Sequence, residues 1–170
     1  PFGSATSREA HVEVRQRLDD LGAALDNQEL TWTTSGNAIW FAQGTETTDG
    51  EDAAQAGAID PLGVSALHTS VTGPGLLSFQ WKVSSEEWFD ELTLLIDGEF
   101  ADAISGTSAW NNIQIPIDSG IHSLSWVYTK DDSINAGQDT AWLDRVVFAS
   151  TLEAAPLLTR QPSNVALLPN

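Results

Sequence analysis

Cysteine is absent from the 170-residue chain. That removes disulfide scaffolds, thiolate zinc sites and cysteine nucleophiles from consideration. Basic residues are scarce: seven Lys and Arg stand against 24 Asp and Glu, a formal net charge of −17. Neutralising phosphates needs clustered cations, so nucleic-acid binding is excluded. Histidine occurs only at His11, His68 and His122, none with Ser and Asp around it in a nucleophile-elbow pattern. No glycine-rich phosphate loop is present. With this much acid, a carboxylate pair such as Glu87 and Asp90 at glycosidase spacing arises by chance. No catalytic activity is therefore expected. No apolar run approaches the ~18 residues that span a bilayer, and these residues contain no signal-peptide pattern, so membrane insertion is not expected.

What is present suits one domain. A chain of this length buries roughly 70% of its unfolded surface, and seven Trp and six Phe supply large apolar areas. The acid is unevenly spread. Arg8, Arg15 and Arg17 nearly balance Glu9, Glu13, Asp19 and Asp20, and Arg160 balances Glu153, so −16 of the charge falls on residues 26–150. Such an excess either keeps a protein soluble or serves a hard cation such as calcium.

The periodicity changes along the chain. Thr6 and Glu9 have capping-box spacing, and Val14, Leu18, Leu21 and Leu25 recur on one helical face. Residues 1–24 therefore read as an N-terminal segment with a helix over about 8–24, although a brief alternation through 11–17 also fits a strand. From Leu30 onward the period is two. Leu77, Phe79, Trp81 and Val83 alternate with polar residues, as do Leu92, Leu94 and Ile96, then Ile113, Ile115 and Ile117, then Leu124, Trp126 and Tyr128. Pro116 places its strand at an edge or an end. Residues 142–148 form the last strand. Asp97 and Gly98 are a hairpin dipeptide, and turn chemistry recurs at Gly73, Pro74 and Gly75, at Ser105 and Gly106, and at Asp118, Ser119 and Gly120. Short strands with turns at this spacing predict an all-β fold, an antiparallel β-sandwich over 25–150. Pro156, Pro162 and Pro169 make 151–170 a linker, or the first strand of a following domain.

The blocks LDNQELTWTTSGNAIWFAQ, DGEDAAQAGAI, GPGLLSFQWKVSSEEWFDELTLLIDG and GIHSLSWVYTKDDSINAGQDTAWLDRVVF resemble a module of large secreted proteins of environmental bacteria. That module is similar to the cleaved-adhesin and MAM-like jelly rolls. The resemblance implies a two-sheet jelly roll, an extracellular setting, a role in glycan binding or adhesion, and often a structural calcium. It implies no catalysis. Its members usually adjoin immunoglobulin-like or carbohydrate-active modules, and PLLTRQPSNVALLPN resembles the start of an immunoglobulin-like neighbour.

Three groups of residues are candidates for chemistry. In a jelly roll of this type the loop before the early strands meets the final strand, which implies a calcium site from Asp49, Glu51, Asp52 and Asp144. Asp144 interrupts an apolar strand, where an unpaired carboxylate is costly. Calcium is one partner for it; Arg145, Lys130 or backbone N–H groups are others. A second acidic loop carries Asp131, Asp132, Asn135 and Asp139. Asp131, Ser133 and Asn135 copy the first alternate ligands of an EF-hand, but Gly137 comes one place late and no glutamate closes the loop, so a turn bonded to its own backbone is the competing reading. The third group is aromatic. Trp88 and Phe89 sit with Asp90 in a polar loop, and Trp110 precedes Asn111, so both can present a ring face and hydrogen-bonding groups to a sugar. Trp81, Trp126 and Trp142 belong to the core. The expected function is an extracellular, calcium-rigidified binding module for a polysaccharide or surface glycan. The alternative is a spacer of an adhesin or filament whose helix face or tail docks on neighbouring protein modules.

Overall fold

The computed structural model of the chain describes residues 20–151. The helix expected over 8–24 lies outside the described residues except at its end, as does the tail from 152 onward. At that end, Leu21–Ala24 (α1) is a single helical turn capped by Asp20, whose Oδ1 accepts from Ala23 N–H at 3.0 Å. The next residue, Leu25, is buried in the core, and its carbonyl accepts from Val146 N–H at 2.9 Å. The strands follow in order: Thr33–Gly36 (β1), Phe41–Gln43 (β2), Ala53–Gln55 (β3), Val64–Ser84 (β4), Glu91–Ile96 (β5), Glu99–Ser105 (β6), Asn111–Thr129 (β7) and Thr140–Ser150 (β8). Every pairing is antiparallel. The fold is a jelly-roll β-sandwich.

Two long strands build both layers. The first half of β4 pairs with β1 and with the second half of β7, which in turn carries β5 and β6. The second half of β4 pairs with the first half of β7 and with β8, which carries β3 and then β2. Ring contacts show that the halves face each other. Phe79 lies edge-on to Trp126 with centroids 5.4 Å apart, yet the register partner of Trp126 on β4 is Leu67. Twelve residues of straight strand would separate Phe79 from Leu67 by about 40 Å. The strand therefore folds over, and the aromatic contact closes the sandwich.

The fold-over explains one departure from the sequence reading. Gly73, Pro74 and Gly75, and Asp118, Ser119 and Gly120, do not separate strands; they are corners inside β4 and β7, with Gly73 opposite Gly120. A Cβ on Gly73 would stand 1.9 Å from the Asp118 carbonyl oxygen, so only glycine lets the two backbones approach this closely. The Asp97 and Gly98 hairpin forms as expected between β5 and β6, both residues at positive φ (54° and 83°). Pro116 lies where β7 has β4 as its only strand neighbour among the described residues, an edge position. Trp81, Trp126 and Trp142 are buried, joined by Trp40. His122 shares the parity of Leu124 and Trp126 but sits near the strand corner, half-buried and paired with Asp97 at 2.7 Å.

Candidate functional site

Two acidic clusters and one aromatic loop stand out. The first cluster forms where the β2–β3 loop meets β8. Gln43 shapes the loop: its Oε1 accepts from Thr45 N–H (2.7 Å), Thr45 Oγ1 (2.8 Å) and Glu46 N–H (2.9 Å). That turn presents Thr48, whose N–H and Oγ1 both donate to Asp144 Oδ2, at 2.7 and 2.8 Å. Asp144 pairs with Gln80, beside Trp142 and on the face of β8 opposite Leu143, the parity changing at the bulge before Val146; it is nevertheless 0% exposed. Neither the guanidinium of Arg145 nor the ammonium of Lys130 pairs with it. Lys130 is held by Asp139 and Asn135, and Arg145 Nε is 4.0 Å from Asp26. Oδ1 of Asp144 is buried and has no hydrogen-bond partner among the described residues.

Oxygens of Asp26, Asp49 and Asp144 lie within 4.8 Å of one another. Ligands of one calcium at 2.3–2.6 Å stand at most about 5 Å apart, so the three fit a single ion. Glu51 and Asp52 are neighbours, lining with Asp26 an open groove of about 430 Å³. Crowding of charge is evident. Burial, then Asp49 and Asp26, pushes the Asp52 carboxyl above the usual carboxylate value, and burial likewise raises Asp144 despite the two bonds from Thr48. Asp26 carries no signal in the sequence. It follows α1, far along the chain from Asp144, and no pattern connects them; at positive φ (56°) it has the backbone that Asp tolerates and most residues avoid.

The second acidic loop does not wrap like an EF-hand. Ser133 N–H and Oγ donate to Asp131 Oδ1 (2.8 and 2.9 Å), Lys130 Nζ donates to Asn135 Oδ1 and Asp139 Oδ2, and Asp132 is exposed. Tyr128 Oη donates to Asp139 Oδ1 at 3.2 Å, and burial with Asp139 and Asp90 nearby drives the phenol far above its usual value. Only Asp131 turns the other way. Its N–H donates to Asp90 Oδ1 at 3.0 Å, and its carboxylate meets Glu86 and Asp90 in a second cluster within 4.8 Å.

The aromatic loop is residues 85–90, between β4 and β5. Trp88 is 80% exposed and Phe89 57%. Trp88 also holds φ at +73°, where its Cβ crowds the backbone at a cost of about 1–2 kcal/mol. The loop is pinned to the end of β6 and the residue that follows it: Ser85 N–H donates to the Gly106 carbonyl at 2.8 Å and Trp88 N–H to Ser105 Oγ at 3.1 Å. That same segment leads to Trp110, which is half-buried, and Asn111, which is exposed with its Nδ2 donating to the Ala109 carbonyl at 3.2 Å. Asp90 is separate from this surface. It is 0% exposed and points inward, as its parity with Leu92 and Leu94 signals. Of the histidines, His11 lies outside the described residues and His68 sits between the hydroxyls of Ser35 (2.7 Å) and Ser125 (2.8 Å). At His122, Ser123 Oγ contacts the Asp97 carboxylate (3.3 Å) rather than the imidazole.

No family model and no curated protein matches the sequence. Solved structures do. The secreted serine protease VesC from Vibrio cholerae is 18% identical with a TM-score of 0.59, covering 76% of this chain and 26% of its own; the chain thus spans about a quarter of that protein. The K3 cleaved adhesin domain of Lys-gingipain from Porphyromonas gingivalis is 14% identical over 70% of this chain and 91% of that one, at a TM-score of 0.47. A carbohydrate-binding module of the β-sandwich superfamily is 14% identical over 70% of this chain and 57% of that one, at 0.49. The MAM half of the resemblance is not carried by these comparisons. What the chain shares with VesC at this identity is the jelly-roll fold.

Proposed function

We propose that the chain is a non-catalytic extracellular recognition module that binds a glycan through the 85–90 loop, with calcium fixing the loop that faces β8. One observation carries the reading: Trp88 is a large aromatic held 80% exposed on a backbone conformation that costs energy. A tryptophan that serves only stability would be buried in an unstrained conformation. An exposed ring face with polar groups beside it is what stacking on a sugar requires. Phe89 adjoins it, and Trp110 and Asn111 follow on the segment to which the loop is pinned.

Calcium is supported at Asp26, Asp49 and Asp144 by the buried, unpartnered Asp144 Oδ1, which a cation would satisfy. Thr48 positions Asp144 from the other oxygen, while Glu51 and Asp52 add negative charge at the rim. The role of the ion here is to tie the loop to β8. Affinity electrophoresis in gels containing soluble polysaccharides tests the glycan reading. Retardation that disappears in Trp88→Ala, with no turnover of the polysaccharide, supports it. Retardation unchanged by Trp88→Ala contradicts it.

A further inference from the structure

We propose that Glu86, Asp90 and Asp131 form a second divalent-cation site, of calcium type, which clamps the 85–90 loop to the turn after β7. Carboxylate oxygens of the three residues lie within 4.8 Å of one another, a spread that one calcium ion spans. An acidic cluster on a protein surface would mean little by itself. The informative atom is Oδ2 of Asp90, which is buried, belongs to a residue 0% exposed, and has no hydrogen-bond partner among the described residues. Its other oxygen accepts from Asp131 N–H at 3.0 Å, which fixes the carboxylate with the orphan oxygen in the cluster.

Charge around Asp90 favours a cation. Glu86, Asp131 and Asp139 face it, against the single ammonium of Lys130. Lys130 does not neutralise Asp90, because its Nζ is engaged by Asn135 and Asp139. Left without an ion, Asp90 Oδ2 is a buried oxygen that no described residue satisfies. The donor set is all oxygen, as calcium and magnesium prefer, and the half-buried Glu86 and Asp131 leave room for water to complete the shell.

Local bonds show what such an ion would hold. Asp90 N–H donates to the Glu86 carbonyl at 3.2 Å and Ser85 Oγ to the Asp90 carbonyl at 2.7 Å, closing the loop under Trp88. Ser133 Oγ reaches Glu86 Oε2 at 3.3 Å, and Leu62 N–H donates to the Asp131 carbonyl at 2.8 Å. Three separate segments thus converge on the cluster. The site stands whether or not Trp88 binds sugar.

Calorimetric titration of the chelator-treated full chain with calcium chloride alone tests it, using Asp144→Asn, Asp90→Asn and Glu86→Gln. Two bound ions are expected, one remaining in Asp144→Asn. Adding Glu86→Gln to Asp144→Asn should weaken that remaining ion by about tenfold or more, and adding Asp90→Asn should abolish it. Glu86 is half-buried and, among the described residues, its side chain accepts only from Ser133 Oγ, so Glu86→Gln decides the matter should Asp90→Asn fail to fold. A single ion lost in Asp90→Asn and kept in Asp144→Asn would uphold this site and remove the first. A single ion lost in Asp144→Asn and indifferent to Glu86→Gln would overturn this one, as would no binding at all.

Discussion

Trp88 is the residue on which function and stability pull apart. Its positive φ costs about 1–2 kcal/mol, a cost glycine would not bear. Trp88→Gly should therefore leave the melting temperature unchanged or raise it, while polysaccharide retardation is lost; a ring that served packing would show a clear fall in stability instead. Asp144 is the opposite case, a charge buried where the strand is otherwise apolar. In the wild type, calcium at a hundredfold excess over its dissociation constant should add about 2.7 kcal/mol to stability. Thermal melts in EDTA and in calcium check this, and in Asp144→Asn the gap between the two curves should narrow, leaving only the part that the Glu86, Asp90 and Asp131 site supplies. Both residues are legible in the sequence, Trp88 from its polar neighbours and Asp144 from its interruption of residues 142–148. Asp26 is not, because a contact between α1's end and the final strand is a product of the closed sandwich. Asp90 looks like part of a polar ligand loop, yet it continues the inward parity of Leu92 and Leu94, and that parity is what the structure obeys.

At the scale of elements, alternation identifies the strands and their buried faces but not their lengths. The stretches through Ile113, Ile115 and Ile117 and through Leu124, Trp126 and Tyr128 read as separate strands divided by a turn, although β7 is continuous from Asn111 to Thr129. Glycine and proline mark a sharp change of direction equally well at a turn and at a corner, so composition does not separate them. Gly73→Ala should expose the difference. Its new methyl would meet the Asp118 carbonyl oxygen, and chemical denaturation should show a loss of about 1–3 kcal/mol. The β5–β6 hairpin offers a second element-level test. Asp97 accepts from Ser123 N–H and pairs with His122, which lowers the aspartate and raises the imidazole from their ordinary values. The raised histidine adds stability that is complete below about pH 6.5 and fades as pH rises through its folded value; the lowered aspartate adds stability present above about pH 4 and lost on acidification. NMR titration of the His122 ring should give a value above that of a free histidine, returning towards it in Asp97→Asn.

For the whole molecule, the sandwich separates a sealed aromatic core from loops that carry the chemistry. Phe79, Trp81 and Trp126 meet between layers, so Trp126→Ala should cost about 3–5 kcal/mol without discriminating between functions. Loops gather the acid: each proposed ion would join a loop to a neighbouring strand or turn and relieve a buried carboxylate oxygen. The charge of −17 thus has specific places to be used as well as a general solubilising effect. The central claim is that the exposed aromatic loop meets sugar. Affinity electrophoresis of the full chain against a panel of soluble plant, algal and bacterial polysaccharides, in calcium, tests it most directly. At least one polysaccharide should retard the wild type and not Trp88→Ala, with both proteins equally folded by circular dichroism; equal mobility of the two on every polysaccharide would contradict it.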